Sequence, residues 1–363
     1  MSTTWGQLGN KLINQAKSKK IPIAGQFELT SRCNLKCKMC YVARPINDKE
    51  AMHSERSAEE WIRLAHEARD EGMLYLLLTG GEIFIRPDFK RIYEETSMMG
   101  FNIELYTNAT MITPEIAKWL SRIPPSRIGI TMYGASPETY GKVCGNANGF
   151  ESAVRGIDLL LSKDINLWLK TTVIQDNAKD FDELAEFAEK RGVEFGIVNY
   201  ISPRREDCST CPESHRLSPK ELIEYELYVD KYFRDKPKET LNKKQADECS
   251  NITDVTDKKL IENKNDAFKC PSGKCAFWVT WDGKMTPCAL MNNPHSSPFE
   301  KGFSAAWNEL QDLCSSVPIC RECDQCSLKD YCMSCPARLQ VETGFYDKPA
   351  QYLCELAKIR KNL

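Results

Sequence analysis

The stretch Ser31-Arg32-Cys33-Asn34-Leu35-Lys36-Cys37-Lys38-Met39-Cys40-Tyr41-Val42 decides how the rest of the chain is read. Cys33, Cys37 and Cys40 stand in a CxxxCxxC spacing directly after the strand-like run at residues 27–30. Iron–sulfur clusters are held by thiolates, normally four of them for a [4Fe–4S] cubane. Three cysteines packed this tightly can wrap a cubane and leave one iron without a protein ligand. An open coordination position is what separates a catalytic metal centre from a closed structural one. The alternative, half of a zinc site, fits less well, because zinc knuckles normally offer CxxC pairs.

Composition narrows the class. The chain has 363 residues, 42% of them apolar, and a net charge of −2. That length predicts two domains, or one large α/β barrel with an appendage, and the charge gives no sign of a nucleic-acid or membrane surface. The first 25 residues lack the apolar h-region of a signal peptide, and no window reaches the roughly 18 apolar residues of a membrane span. Seventeen cysteines in a chain without an export signal are expected to be reduced, so metal ligation is favoured over a disulfide scaffold. The expected location is the cytoplasm.

Apolar periodicity outlines alternating elements. Residues 3–20 read as a basic amphipathic helix with Trp5, Leu8, Leu12 and Ile13 on one face, closing the lower mouth of a barrel. Strands are expected at 26–30, 73–78, 102–106, 128–132, 166–174 and 193–200, with helices at 58–71, 88–98, 114–121, 149–163 and 180–190. Alternation of this kind implies a parallel, right-handed α/β arrangement. Periodicity alone leaves an open barrel and a doubly wound sheet both standing. A further helix is expected at 217–233, and residues 236–265, rich in Lys, Asp, Glu and Asn, read as a linker.

The second strand ends in Thr79-Gly80-Gly81-Glu82. In parallel α/β folds functional loops follow the carboxyl ends of strands. Glycines there let the backbone approach closely, and a glutamate suits an ammonium group. With the CxxxCxxC loop after strand one, this pattern resembles the radical S-adenosylmethionine (radical SAM) superfamily. The resemblance favours a partial (β/α)6 TIM-like barrel. It implies that the free iron binds the amino and carboxylate groups of SAM, and that Gly80, Gly81 and Glu82 bind the methionine amino group. Asn108 ends strand three at the same mouth. Thr131 occupies the place of a serine that contacts SAM in relatives, and Arg155 matches a basic residue that pairs with the SAM carboxylate. Relatives often carry an aromatic residue before the third cysteine, where this chain has Met39; Tyr41 follows one place later.

From Cys270 onward lies a second cysteine-rich region: Cys270-x4-Cys275-x12-Cys288, then Cys323-x2-Cys326-x5-Cys332-x2-Cys335, then Cys354. Two zinc sites would satisfy the count. The order resembles the SPASM domain, with x2 where the usual pattern has x3 before Cys335. That resemblance implies one auxiliary [4Fe–4S] cluster on Cys270, Cys275, Cys288 and Cys335, and a second on Cys323, Cys326, Cys332 and Cys354. With the SAM-binding cluster this makes three. Cys144, Cys208, Cys211, Cys249, Cys314 and Cys320 are left over, and Cys320 forms another CxxC with Cys323. The expected division is an N-terminal extension at 1–24, the barrel at 25–235, and a linker with the SPASM domain at 236–363.

These resemblances imply an oxidoreductase that reductively cleaves SAM to a 5′-deoxyadenosyl radical and modifies a peptide or protein, by thioether or carbon–carbon crosslinking or by residue oxidation. They also imply a flavodoxin- or ferredoxin-type electron donor. Sulfatase maturation is disfavoured, because Ala289 stands where those enzymes carry an aspartate base. About 25 residues precede strand one, too few for a fused leader-binding domain, so a separate leader-recognition protein or direct leader binding is expected. The alternatives are a radical SAM enzyme acting on a small metabolite and an iron–sulfur electron carrier. The Thr79–Glu82 strand end argues against the carrier.

Overall fold

Short apolar runs bounded by Gly, Pro and Asn become the six parallel strands that the periodicity outlines. The computed structural model describes residues 5–42, 44–205, 211–235 and 266–363. The strands are β1 (Ala24–Glu28), β2 (Tyr75–Thr79), β3 (Asn102–Thr107), β4 (Arg127–Thr131), β5 (Leu167–Thr172) and β6 (Glu194–Val198). They pair in chain order, each parallel to the next. Helices return the chain between them: α2 (Ala58–Asp70), α3 (Phe89–Met98), α4 (Pro114–Leu120), α5 (Pro137–Cys144), α6 (Gly149–Leu161) and α7 (Phe181–Lys190), with α1 (Trp5–Lys19) before the first strand and α8 (Pro219–Asp235) after the last. This is a mixed α/β fold on a parallel central sheet, of the TIM-like barrel type.

Each element is fixed locally and then by packing. At α2, Ser57 and Glu60 form a reciprocal capping box, which satisfies two amide donors that a helix start leaves without partners. Trp61 of α2 is fully buried, 5.1 Å from the Phe27 ring of β1 and edge-on to Phe299 at 5.2 Å. Side chains alternate along every strand. Leu76, Leu78, Ile103, Leu105, Ile128, Ile130, Leu167 and Leu169 face the helices and make the core. The opposite, inner face carries the polar and aromatic residues Glu28, Glu104, Tyr106, Arg127, Trp168 and Lys170, together with Leu77.

Two differences from the sequence reading matter. The cysteine-rich tail is not wholly separate from the barrel. Its β7 (Ala276–Val279) pairs in parallel with β1, and β8 (Met285–Thr286) pairs antiparallel with β7. The sheet order is therefore β8-β7-β1-β2-β3-β4-β5-β6. A four-residue strand is too short for periodicity to reveal, but Phe277 and Val279 enter the core beside Phe303 and Trp307 of α9 (Phe303–Ser315). The second difference is α5, absent from the expected elements. Its start is capped by Ser136, with Pro137 in the first turn, and its end by Gly145 in a left-handed conformation (φ 70°), the usual stop signal.

The expected N-terminal helix forms, and Ile13 and Ala16 are buried with Ile23, Ala24, Cys275 and Ala276 under the first residues of β1 and β7. The side chains of Trp5 and Leu8, the linker at 236–265, and Cys208 and Cys249 lie outside the described residues. Among the described residues no helix is long and apolar enough to cross a membrane.

Candidate active site at the carboxyl end of the sheet

The loop after β1 is pinned from three sides. Lys36 and Lys38 donate backbone N–H groups to the carbonyls of Cys144 and Val143 at the end of α5, both at 3.0 Å. Arg44 N donates to Ser31 O at 2.8 Å. On the third side Gly81 N donates to Thr30 O at 2.7 Å and Glu82 N to Arg32 O at 2.9 Å. A Cβ on Gly80 would run into the Thr30 carbonyl, and one on Gly81 into that of Arg32. The two glycines thus serve first to seat the end of β2 against the backbone entering the cysteine loop.

Within that loop the three thiols act on one another. Burial, then the charge of Glu82, pushes the Cys33 thiol up to about 12. Cys37 is raised by its contact with Cys144, then by burial, then by Cys40. Three adjacent thiolates repel unless a cation lies among them, and metal ligands bind as thiolates. This donor set suits a cationic iron–sulfur centre. Among the described residues no three His, Cys, Asp or Glu groups are drawn tightly enough to share a single ion. A cubane carries its irons on separate corners, so its thiolates stand farther apart than the ligands of one zinc.

Glu82 is fully buried beside this loop. Thr107 Oγ1 (2.8 Å), Asn108 N (2.8 Å) and Phe84 N (3.2 Å) donate to its carboxylate. Burial raises its pKa, against the pull of these three donors. None of the donors carries a charge, so a ligand ammonium would supply the counter-charge that a buried carboxylate needs. Asn108 donates from Nδ2 to Asn34 Oδ1 at 2.9 Å and lies 3.7 Å from Cys33 Sγ. The structure therefore brings Gly80, Gly81, Glu82 and Asn108 together with Cys33.

Other expected contacts divide. Thr131 ends β4, partly exposed on the inner face. Arg155 is exposed on α6 and donates from Nη2 to Ser152 Oγ at 3.3 Å. Ala153, Gly156 and Ile157 are the α6 residues turned inward. Met39 is buried with Val143, Ile174 and Ile201.

Two aromatic residues flank the loop. The sequence reading missed Tyr133 and left Tyr41 open. The Tyr133 phenol is raised by burial and then by Cys37, Cys33 and Cys40. Tyr41 is raised by burial and then by Glu28, with Cys40 and Cys288 also acting on it. Tyr41 thus stands between the first cysteine loop and the tail.

In the tail, Cys288 is pushed up to about 12 by burial, with Cys335 and Cys270 adding to it. Cys335 caps α10 (Pro336–Thr343), its sulfur accepting from Arg338 N at 3.5 Å. Cys275 is fully buried and is raised to about 11 by burial, with Cys270 contributing. Cys314 also feels Cys270. A second group gathers Cys323, Cys326, Cys332 and Cys354, and Cys320 lies in hydrogen-bonding contact with Cys323. Each group thus has one more thiol nearby than the SPASM resemblance assigns.

A parallel-stranded barrel segment with a three-cysteine loop after its first strand and a glycine-glycine-glutamate turn after its second defines a radical SAM domain. Residues 27–188 match the radical SAM superfamily. Over 340 residues the chain is 26% identical to an AdoMet-dependent heme synthase of Methanosarcina barkeri, covering 90% of this chain and 94% of that protein. It is 24% identical to AlbA, the antilisterial bacteriocin subtilosin biosynthesis protein of Bacillus subtilis, covering 91% of this chain and 72% of AlbA. Among solved structures, Streptococcus suis SuiB bound to its precursor peptide SuiA superposes with a TM-score of 0.70 at 17% identity, covering 96% of this chain and 81% of SuiB. At that identity the likeness concerns the fold.

Proposed function

We propose that this chain is a SPASM-type radical SAM oxidoreductase that modifies a peptide or protein, forming a thioether or carbon–carbon crosslink or oxidising a residue. The observation that carries the SAM reading is the buried Glu82 beside Cys33, a carboxylate met, among the described residues, only by uncharged donors. When bound, the cluster and SAM supply one-electron reductive cleavage to a 5′-deoxyadenosyl radical that abstracts hydrogen from the substrate.

The chain's residues do the rest. Cys33, Cys37 and Cys40 would hold the cluster, three thiolates for its four irons. Glu82 receives the methionine ammonium, with Asn108 and Thr131 at the same mouth. Tyr133, beside Cys37, offers a ring near the cofactor where relatives use the position held here by Met39. Cys270, Cys275, Cys288 and Cys335, and then Cys323, Cys326, Cys332 and Cys354, are assigned the two auxiliary clusters. Tyr41 lies within the electrostatic reach of both Cys40 and Cys288.

Peptide substrates are supported by relatives named for such work, AlbA and the sporulation killing factor maturation protein SkfB of Bacillus subtilis. Action on a small metabolite is the second reading, favoured by the alignment with 94% of the heme synthase. The test is anaerobic reconstitution, reduction in the presence of SAM, and detection of 5′-deoxyadenosine and methionine. Mass spectrometry of peptides encoded beside the gene then decides between substrates. A defined mass change in such a peptide supports the first reading, and its absence alongside turnover of a small carboxylic acid supports the second.

A further inference from the structure

On the inner face of the sheet Lys170 is enclosed by the barrel wall yet remains partly exposed. Its Nζ sits 3.5 Å from the centroid of the Tyr106 ring and 5.1 Å from that of Trp168. Two glycines make room for those rings. A Cβ on Gly129 would come within 2.6 Å of Tyr106, and one on Gly196 within 3.3 Å of Trp168. Strand register sets Lys170 beside Thr131 on β4 and Gly196 on β6.

Among the described residues no carboxylate pairs with this ammonium. Glu104, whose charge Lys170 feels, is engaged by Arg127 at 3.0 Å, and Glu194 lies 3.8 Å from the same arginine. Ring faces attract a cation but supply no hydrogen-bond acceptor for its three N–H groups. A largely desolvated charge without such a partner is costly, and ionisable groups placed in this way cluster at functional sites.

We propose that Lys170, on its floor of Tyr106 and Trp168, is the anchor for a carboxylate of the substrate inside the barrel. The inference rests on the proposed function, and it places the substrate of that reaction against this inner face. It fits an acidic residue of a peptide and a small carboxylic acid alike. Desolvation lowers the ammonium's pKa to about 8, with Arg127 acting in the same direction and Glu104 against it. The carboxylate preference is therefore present below that pH and fades above it. Of the neighbouring groups, Tyr106 presents its ring face to the ammonium.

The test uses the full chain, anaerobically reconstituted, and isothermal titration with three probes: N-acetyl-Gly-Glu-Gly-amide, its glutamine counterpart and glutarate. A charge-assisted hydrogen bond predicts that the glutamyl peptide binds roughly tenfold or more tightly than the glutaminyl one. Lys170→Met should erase the preference and Lys170→Arg should keep it. Binding of glutarate without the glutamyl peptide, and lost in Lys170→Met, would keep the anchor and remove the peptide reading. Equal affinity for the two peptides without glutarate binding, or no binding by any probe, would overturn the anchor. A loss of SAM affinity in Lys170→Met, with carboxylate binding unchanged, would also overturn it by giving the lysine to the cofactor.

Discussion

Glu28 on β1 and Arg205 in the segment after β6, 177 residues apart, form an ion pair at 2.7 Å with both side chains almost wholly buried. Trp278 of β7 donates its Nε1–H to the same carboxylate at 2.8 Å, and Arg205 Nη1 donates to the Ala289 carbonyl at 3.2 Å. Asn292 donates to the Arg205 carbonyl. One buried charge pair thus ties the first strand, the chain leaving the last barrel strand, and the loop of Cys288. Removing one partner leaves the other charged and buried, which costs about 3–5 kcal/mol. Arg205→Ala should lower the stability of the whole protein by that order in urea unfolding, whereas Glu28→Leu combined with Arg205→Met should cost less. Equal losses in the single and double variants would remove the charge argument.

The first cysteine loop is held by backbone bonds to β2 and α5 that the cysteine side chains do not make. The triple variant Cys33→Ala/Cys37→Ala/Cys40→Ala should therefore fold and keep its auxiliary iron. Three cubanes carry about twelve irons, so the variant should retain about eight and cleave no SAM. Iron falling to zero would mean that the centres do not assemble independently.

The same two cases show what the sequence could reveal. CxxxCxxC and Thr79–Glu82 were legible because each packs its chemistry into a few adjacent residues at a strand end. The six strands were legible because Tyr75–Thr79 and its neighbours are apolar runs bounded by Gly and Asn. Glu28, Arg205 and Tyr41 were not, because their meaning comes from contacts across the chain. Lys170 left a faint trace: within Leu167–Thr172, alternation places Trp168 and Lys170 on one face, opposite the leucines. Strand β7 was hidden by its length, and α5 by a start that reads as a turn.

Glu82 should separate binding from folding. Glu82→Gln keeps the shape and one acceptor, while Glu82→Ala also strips Asn108 N and Thr107 of their partner. Loss of a charged hydrogen bond to a ligand ammonium is worth roughly 1.5–3 kcal/mol, so both variants should bind SAM about ten- to hundredfold more weakly, and only the alanine variant should lose stability as well. The pH dependence has a definite sign. Burial raises this carboxyl's pKa, so its charge is lost at a higher pH than that of an exposed glutamate as the solution is acidified. SAM affinity should therefore fall on the acid side in the wild type and stay flat in Glu82→Gln. Unchanged affinity in both variants would leave the Gly80–Glu82 turn a purely structural device.

The tail poses a choice between two thiols. Cys275 and Cys314 both act on or with Cys270 and both are buried. Cys314 sits on α9 against Gly273, whose added Cβ would lie 2.6 Å from its sulfur, at a positive φ of 70°. It thus helps fix the turn that carries Cys270 toward Cys275. Cys275 belongs to the ligand pattern, lies directly before β7, and packs with Ile13, Ala16 and Ala24. If Cys275 is a ligand and Cys314 a packing residue, Cys314→Ala should keep about twelve irons and lose a little stability. Cys275→Ser should drop the iron content and change the electron paramagnetic resonance spectrum of one auxiliary centre. With all four ligands in place, a thiol-bearing peptide should leave that spectrum unchanged; in Cys275→Ser an iron is open, and the same peptide should shift it. The reverse result, iron lost in Cys314→Ala and kept in Cys275→Ser, would exchange the two residues' roles and move the ligand set onto α9.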